Sequence, residues 1–233
     1  MNTMDTPRKP GIMAQLRNSK GFSLIEIAIV LVIIGIIIAA IVKGQDLLVN
    51  ARTKQLVAAA NTWKSAAYGY MDRNGTFPGD TGNKNGLVGD DSTSTIEQVA
   101  TGTAIAQLEG AMSALPTNPV VVGGMSFYFF FGNARTATGS LVSVIAICKV
   151  DDCNTVFTPD EVALINAADT AIDGAADGGS GAFRASTTTG FSPATATATR
   201  ANGYINGGVA LSTANTPFSI VNKAALWAFD RAF

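Results

Sequence analysis

The two cysteines of this 233-residue chain, Cys148 and Cys153, have four residues between them. They form a natural disulfide if this part of the chain lies outside the cytoplasm. On the chain-entropy model, so short a loop stabilises the fold by about 2 kcal/mol. The alternative is a metal clip. Two thiolates would leave a tetrahedral site half filled, because the chain has no histidine.

Carboxylate and amide side chains also cluster in residues 75–95, a segment with the composition of a loop. Its spacing partly matches an EF-hand calcium loop, since Gly86 follows Asn85, but Thr81 and Ser92 occupy the first and twelfth positions. Asx-turns in a solvated loop are the alternative that we favour. We therefore predict no metal and no cofactor, with calcium as the weaker alternative. The calcium candidates are Asp80, Asn83, Asn85, Asp90 and Asp91.

The sequence contains no constellation typical of an enzyme. A Walker loop, a G-x-S-x-G elbow and a complete G-x-G-x-x-G after a strand are missing, and without histidine there is no His-based triad. The formal net charge of −1 provides no basic field for nucleic acid. Arg52, Lys54 and Lys64 could contact DNA along a predicted helix, but spaced cations ordinarily form a solvated face. We predict that the protein is not an enzyme.

The apolar segment from Phe22 to Val42 has 21 residues and a single charge, Glu26. As an α-helix it spans roughly 30 Å, the thickness of a bilayer's hydrocarbon core. A secretory signal peptide fits less well, because its apolar region has about 7–15 residues and is cut after that region. Two explanations for Glu26 are open: it lies close enough to the lipid headgroups to be tolerated, or it pairs with a cation of another molecule.

Charge is unevenly distributed around this segment. The first 21 residues carry +3, which leaves −4 for residues 22–233. A basic head before an apolar run stays in the cytoplasm, so the acidic remainder is the part that crosses the membrane. The charged residues of the head are Arg8, Lys9, Arg17 and Lys20, against Asp5.

The heptapeptide Lys20-Gly21-Phe22-Ser23-Leu24-Ile25-Glu26 resembles the processing site of type IV prepilins and type II secretion pseudopilins. The resemblance implies that a prepilin peptidase cuts after Gly21 and methylates the new N-terminus at Phe22. Glu26 is then the fifth mature residue. Implied partners are other pilin subunits, an assembly ATPase and an inner-membrane platform protein.

The assembly role that the resemblance implies for Phe22 and Glu26 has a physical basis. Cleavage frees an α-ammonium on Phe22, and N-methylation keeps it cationic. Inside a filament of packed helices, this cation and the Glu26 carboxylate of a neighbouring subunit would each be costly alone. Paired, they neutralise one another and fix the axial register of the subunits.

The predicted fold class is α+β, with a long helix packed on a small antiparallel β-sheet, as the resemblance implies. The helix continues beyond the membrane because apolar positions recur at three- and four-residue steps, and Asn74-Gly75 is a stop signal. The apolar positions are Leu56, Ala60, Trp63, Ala67 and Tyr70, and the opposite face carries Lys54, Asn61, Ser65 and Asp72.

The chain is predicted to have four parts. They are the leader 1–21, the transmembrane helix 22–43, its amphipathic continuation 44–73 and the globular domain 74–233.

Further elements are predicted within the globular domain. Residues 96–115 form a second helix, and 120–122, 125–131 and 141–150 form an antiparallel meander. A third helix begins near Pro159 and ends at Asp173-Gly174. Residues 173–203 are rich in small residues and are expected to be exposed. The last segment, 217–233, docks as a short helix or a strand.

Three aspartates, Asp169, Asp173 and Asp177, recur every four residues and would repel one another on a helix. Either the helix ends there or a cation binds, and we favour the end of the helix.

The leading hypothesis is a structural subunit of a type IV pilus or a type II secretion pseudopilus. It is a single-pass inner-membrane protein with a cytoplasmic N-terminus and a periplasmic globular domain before it enters the filament. Two alternatives stay open. One is a minor pilin that primes assembly or binds a ligand at the tip. The other is a membrane-anchored periplasmic protein that does not polymerise.

Overall fold

A computed structural model describes residues 21–80, 84–88, 103–112, 115, 117–151, 153, 155–186, 204–205, 211–213 and 216–230. The chain divides into two compact units, one ending at Asp46 and the other beginning at Leu47. The elements in the described residues are α1 (Leu24–Asn74), α2 (Thr103–Ala111), β1 (Val120–Val122), β2 (Met125–Arg135), β3 (Leu141–Cys148), α3 (Pro159–Asp173), β4 (Phe183–Ala185), β5 (Tyr204–Ile205) and β6 (Ala224–Ala228). A long helix on a small antiparallel sheet confirms the predicted α+β class.

In the second unit, α1 is amphipathic as its periodicity predicted. Leu56, Ala60, Trp63 and Ala67 are buried, and Tyr70 is half-buried. The predicted polar face is exposed: Lys54, Asn61, Ser65 and Asp72. The helix ends at the predicted stop, where Gly75 has a φ of 73° and its N–H donates to the Met71 carbonyl at 2.7 Å.

The sheet has the strand order β1-β2-β3-β6-β4, with antiparallel neighbours throughout. The two-residue β5 pairs with β2 in parallel. The predicted meander is confirmed, although β2 continues past Phe131 to Arg135 and β3 stops at Cys148. Gly123 and Gly124 both have positive φ, the conformation that a two-residue hairpin turn between twisted strands requires.

Both faces of the central strands are buried. On β2, Phe127, Phe129 and Phe131 belong to the core shared with α1, whereas Phe130 and Ala134 belong to a second apolar cluster. Strands β3 and β6 alternate between the two clusters in the same way, as the two-residue period of a strand requires. This explains why these strands read as continuous apolar runs, without the alternation of a half-exposed sheet.

Contacts between aromatic rings hold α1 on the sheet. The rings of Trp63 and Phe131 meet edge to face, with 6.0 Å between centroids. The Tyr68 hydroxyl donates to the Phe229 carbonyl at 2.5 Å. Edge-to-face geometry places a positive ring edge on a negative ring face and adds to the free energy gained by burial.

The remaining elements agree in part with the predictions. Helix α2 lies within the predicted 96–115, of which 96–102 are outside the described residues. Helix α3 is confirmed, and the last segment forms the strand β6.

The expectation that 173–203 are exposed is wrong for the part that the structure describes. Strand β4 pairs with β6, and Phe183 and Ala185 on β4 are buried. Small side chains are compatible with close packing, so a composition of small residues did not by itself indicate exposure. Residues 187–203 lie outside the described residues.

We expect Phe131→Ala to lower the free energy of unfolding by about 3–5 kcal/mol, because Phe131 is 1% exposed and its loss leaves a cavity under α1. Urea denaturation of the full chain in detergent, followed by tryptophan fluorescence, measures this change. The control is Val121→Ala on β1, where the side chain is 55% exposed and the expected change is below about 0.5 kcal/mol. Equal effects of the two substitutions would contradict the described core.

Candidate functional site

The predicted processing site lies just before the first turn of α1. Gly21, Phe22 and Ser23 precede the helix, and the Ser23 carbonyl accepts N–H bonds from Glu26 at 3.0 Å and Ile27 at 3.3 Å. Phe22 is 77% exposed, and a Cβ on Gly21 would have no atom within 4 Å. The bond between Gly21 and Phe22 is therefore open to approach from outside.

Glu26 lies in the first turn of α1, where a negative side chain complements the positive end of the helix dipole. Its side chain is exposed and makes no hydrogen bond or ion pair with the described residues. Phe22 and Glu26 are four positions apart in sequence, and among the described residues no cation pairs with the Glu26 carboxylate.

Beyond Glu26, α1 presents apolar side chains on all sides. Exposure ranges from 45% at Ile34 to 90% at Leu24 among the large apolar residues of 24–42. Within the described residues, α1 is the one helix long and apolar enough to cross a membrane, and its most apolar window has no buried residue. A helix that is apolar all round requires lipid or other apolar helices around it.

Residues 16–42 match the family model of the prokaryotic N-terminal methylation motif. This motif is the signature of type IV pilin and pseudopilin prepilins, so the resemblance drawn from the sequence is confirmed. The motif is typical of structural, pilin-type proteins, and together with the apolar helix it fits membrane anchoring of this chain. No curated protein and no solved structure matches the chain at a significant level.

Cys148 and Cys153 are joined by a disulfide, as the sequence predicted for a domain outside the cytoplasm. Both cysteines are buried, and the bridge links the end of β3 to the segment before α3. The carboxylate of Glu161 provides a second connection between the sheet and α3. It accepts the Thr158 N–H at 2.7 Å and lies 3.4 Å from the Lys149 ammonium. The start of α3 is thereby fixed to the sheet.

The Glu161 contact completes a capping box, in which the Thr158 hydroxyl accepts the Glu161 N–H. The spacing of Thr158 and Glu161 is the S/T-x-x-E signal of such a box, so this feature was readable from the sequence.

Of the calcium candidates, the structure describes Asp80 and Asn85. The buried Asp80 carboxylate accepts the Gly86 N–H at 3.0 Å, and the Asn85 side-chain oxygen accepts the Leu87 N–H at 2.9 Å, an Asx-turn. Among the described residues, no group of three acidic, cysteine or histidine side chains is arranged for a metal. The remaining candidates, Asn83, Asp90 and Asp91, lie outside the described residues, and calcium binding stays the untested alternative.

The three aspartates spaced by four residues, Asp169, Asp173 and Asp177, lie around the turn between α3 and β4. Asp169 accepts the N–H groups of Asp177 and Gly178 at 2.9 and 3.0 Å. Asp173 is the last helical residue and accepts the Phe183 N–H at 2.7 Å. The helix therefore ends where these acids would otherwise repel one another, as we favoured.

The three cations on α1 have different surroundings. The Lys64 ammonium lies 5.2 Å from the centroid of the Trp227 ring, a cation–π contact. Arg52 lies against Gly123 in the β1–β2 turn. Lys54 is exposed. The DNA-contact hypothesis gains no continuous basic surface from this arrangement.

Two asparagines that the sequence analysis did not select act as substitutes for strand pairing. The Asn118 side chain donates to the Phe129 carbonyl and accepts the Phe129 N–H, both at 2.9 Å. Asn166 on α3 clamps Phe218 in the same two-bond manner, at 3.1 and 2.8 Å. An isolated asparagine gives no sequence signal for such a long-range clamp.

We expect the free energy of unfolding to fall as pH rises from about 4 to about 6. Burial raises the pKa of Asp169 from its ordinary value of 3.8 to about 6, although the N–H bonds from Gly178 and Asp177 lower it in part. The folded chain thus retains a proton that the unfolded chain releases, and stability declines by on the order of 2 kcal/mol across this range.

The variant Asp169→Asn keeps an oxygen acceptor for both N–H groups and should lose this pH dependence in urea denaturation of the full chain. Asp177 does not produce the same slope, because hydrogen bonds from Ser180 lower its pKa. Its stabilisation is lost only as pH falls below about 4. The matched control is Asp151→Asn, at an exposed position. A slope that survives in Asp169→Asn would refute the assignment.

Proposed function

We propose that this chain is a structural subunit of a type IV pilus or a type II secretion pseudopilus, made as a precursor and assembled through α1. The observation that carries the proposal is the methylation motif at residues 16–42, which continues into a helix whose apolar side chains are exposed. A plain membrane anchor has no use for the Glu26 carboxylate at this depth.

Processing is the first step of the proposed function. The prepilin peptidase cuts after Gly21 and methylates the amino group of Phe22. Exposure of both residues, ahead of the first helical turn, supports this step, because a protease needs an extended and accessible backbone. Gly21 also lacks a Cβ, which permits close approach.

Membrane topology is the second element. The basic leader keeps the N-terminus in the cytoplasm and places the globular unit in the periplasm. The disulfide between Cys148 and Cys153 supports this orientation, since such bonds persist in oxidising compartments. Residues 22–43 then hold the subunit in the inner membrane until it enters the filament.

Assembly is the third step. An ATPase and an inner-membrane platform protein move the subunit from the bilayer into the filament. There the methylated ammonium of Phe22 pairs with the Glu26 carboxylate of a neighbouring subunit. The Glu26 carboxylate is exposed and has no ion pair among residues 21–230 that the structure describes, which supports an intermolecular partner. The pair sets axial register more than it adds stability.

We expect Glu26→Ala to leave cleavage after Gly21 intact and to reduce the yield of sheared filaments by about tenfold or more, because an unpaired ammonium is costly in an apolar filament core. Immunoblots of whole cells and of sheared filaments measure the two steps separately. The control is Asp72→Ala, which removes an exposed acid from the same helix and should assemble normally.

Two results would count against the proposal. Filaments of Glu26→Ala at the yield of the unaltered chain would show that the carboxylate has no role in assembly. An unaltered chain that is processed but never found in filaments would instead favour an anchored protein that does not polymerise.

A further inference from the structure

A cleft in the second unit lies between α1, the beginning of β2 and the first turns of α3. Its cavity volume is about 190 Å³, and it is lined by Val49, Arg52, Met125, Asp160, Ala163 and Leu164. A cavity of about 150 Å³ holds a benzene molecule, so this cleft has room for one branched aliphatic side chain.

The lining of the cleft carries two opposite charges, Arg52 and Asp160. Among the described residues, neither Arg52 nor Asp160 makes an ion pair or a side-chain hydrogen bond. Arg52 is held in place by the hairpin turn, because a Cβ on Gly123 would overlap its side chain. Asp160 lies in the capped first turn of α3, and its side chain is exposed. The cleft therefore combines a cation, an anion and an apolar lining.

A second surface, on α1 of the same chain, also carries one cation and one anion beside an apolar side chain. Lys43, Asp46, Leu47 and Asn50 share one helical face, since they are spaced by three and four residues. All four are exposed, and Leu47 is 69% exposed. Lys43 and Asp46 form no ion pair within the described residues.

We propose that Leu47 of one copy enters the cleft of a neighbouring copy, a contact that rests on the proposed function. The Asp46 carboxylate then faces the Arg52 guanidinium. The Lys43 ammonium faces the Asp160 carboxylate. The apolar side chain supplies the burial, and the charges fix orientation and exclude other registers.

The contact has to be between copies. Leu47 and Val49 are two positions apart on one helix, so their side chains point about 200° apart and Leu47 cannot enter the cleft of its own chain. The donor face and the cleft are also different surfaces. Such a heterologous contact repeats from copy to copy, and it produces an open helical assembly where the rotation between copies does not close into a ring.

Cysteine cross-linking tests the contact directly. The full-length chain carrying Leu47→Cys and Ala163→Cys is expressed in cells with the assembly machinery and oxidised, and we expect a ladder of covalent multimers. The native cysteines do not interfere, because they are buried and bonded to each other. The control pairs Leu47→Cys with Ala137→Cys, an exposed alanine at the opposite end of β2 from Met125, and should give no ladder.

A charge swap is the second test. Arg52→Asp should lower filament yield by about tenfold or more, because it places like charges together. Adding Asp46→Arg in the same chain should restore the yield, and Lys54→Asp, on the exposed side of α1, should have little effect. If the unaltered chain forms filaments but the chain with Leu47→Cys and Ala163→Cys gives no ladder, this contact is overturned and the proposed function stands. Absence of filaments from the unaltered chain would overturn both.

Discussion

The apolar side chains between Leu24 and Val42 have no cover within the described chain, and this exposed surface constrains everything else about the molecule. Removing one large aliphatic side chain from water is worth about 1.5–3 kcal/mol, and this segment exposes them along its whole length. Lipid and a bundle of identical helices both satisfy that requirement. Under the proposed function, the Glu26 carboxylate distinguishes the two environments, because a bundle brings the cationic N-terminus of a neighbouring subunit to it.

The second half of α1 has a different task, which its sequence reflects. Polar residues return on one face, and the other face packs Trp63 against Phe131 of the sheet. The sheet in turn buries both of its faces, so its central strands are packed on both sides. The disulfide and the contact between Lys149 and Glu161 then fix α3 to the end of β3.

Features set by local pattern were predictable, and features set by distant contacts were not. The apolar run, the α1 periodicity, the Gly123-Gly124 hairpin and α3 each have a signal within a few residues. The position of β6 beside β3 has no such local signal. It depends on distant contacts, such as the Asp230 carboxylate that accepts the Ser143 N–H at 2.8 Å. Burial of 176–186 was missed because composition describes the side chains of a segment and not the surface it meets. At the processing site, residue spacing identified the motif, but the proposed partner of Glu26 belongs to a second copy and leaves no signal in the sequence.

The most direct test of the central claim is the intact mass of the membrane-fraction protein from cells with and without the prepilin peptidase. The account predicts a mature chain that begins at Phe22 and carries one added methyl group. That species should disappear, and the full precursor accumulate, when the peptidase is missing. A chain that keeps residues 1–21 in both strains, or one cut beyond Ala40 as a secretory signal would be, contradicts it.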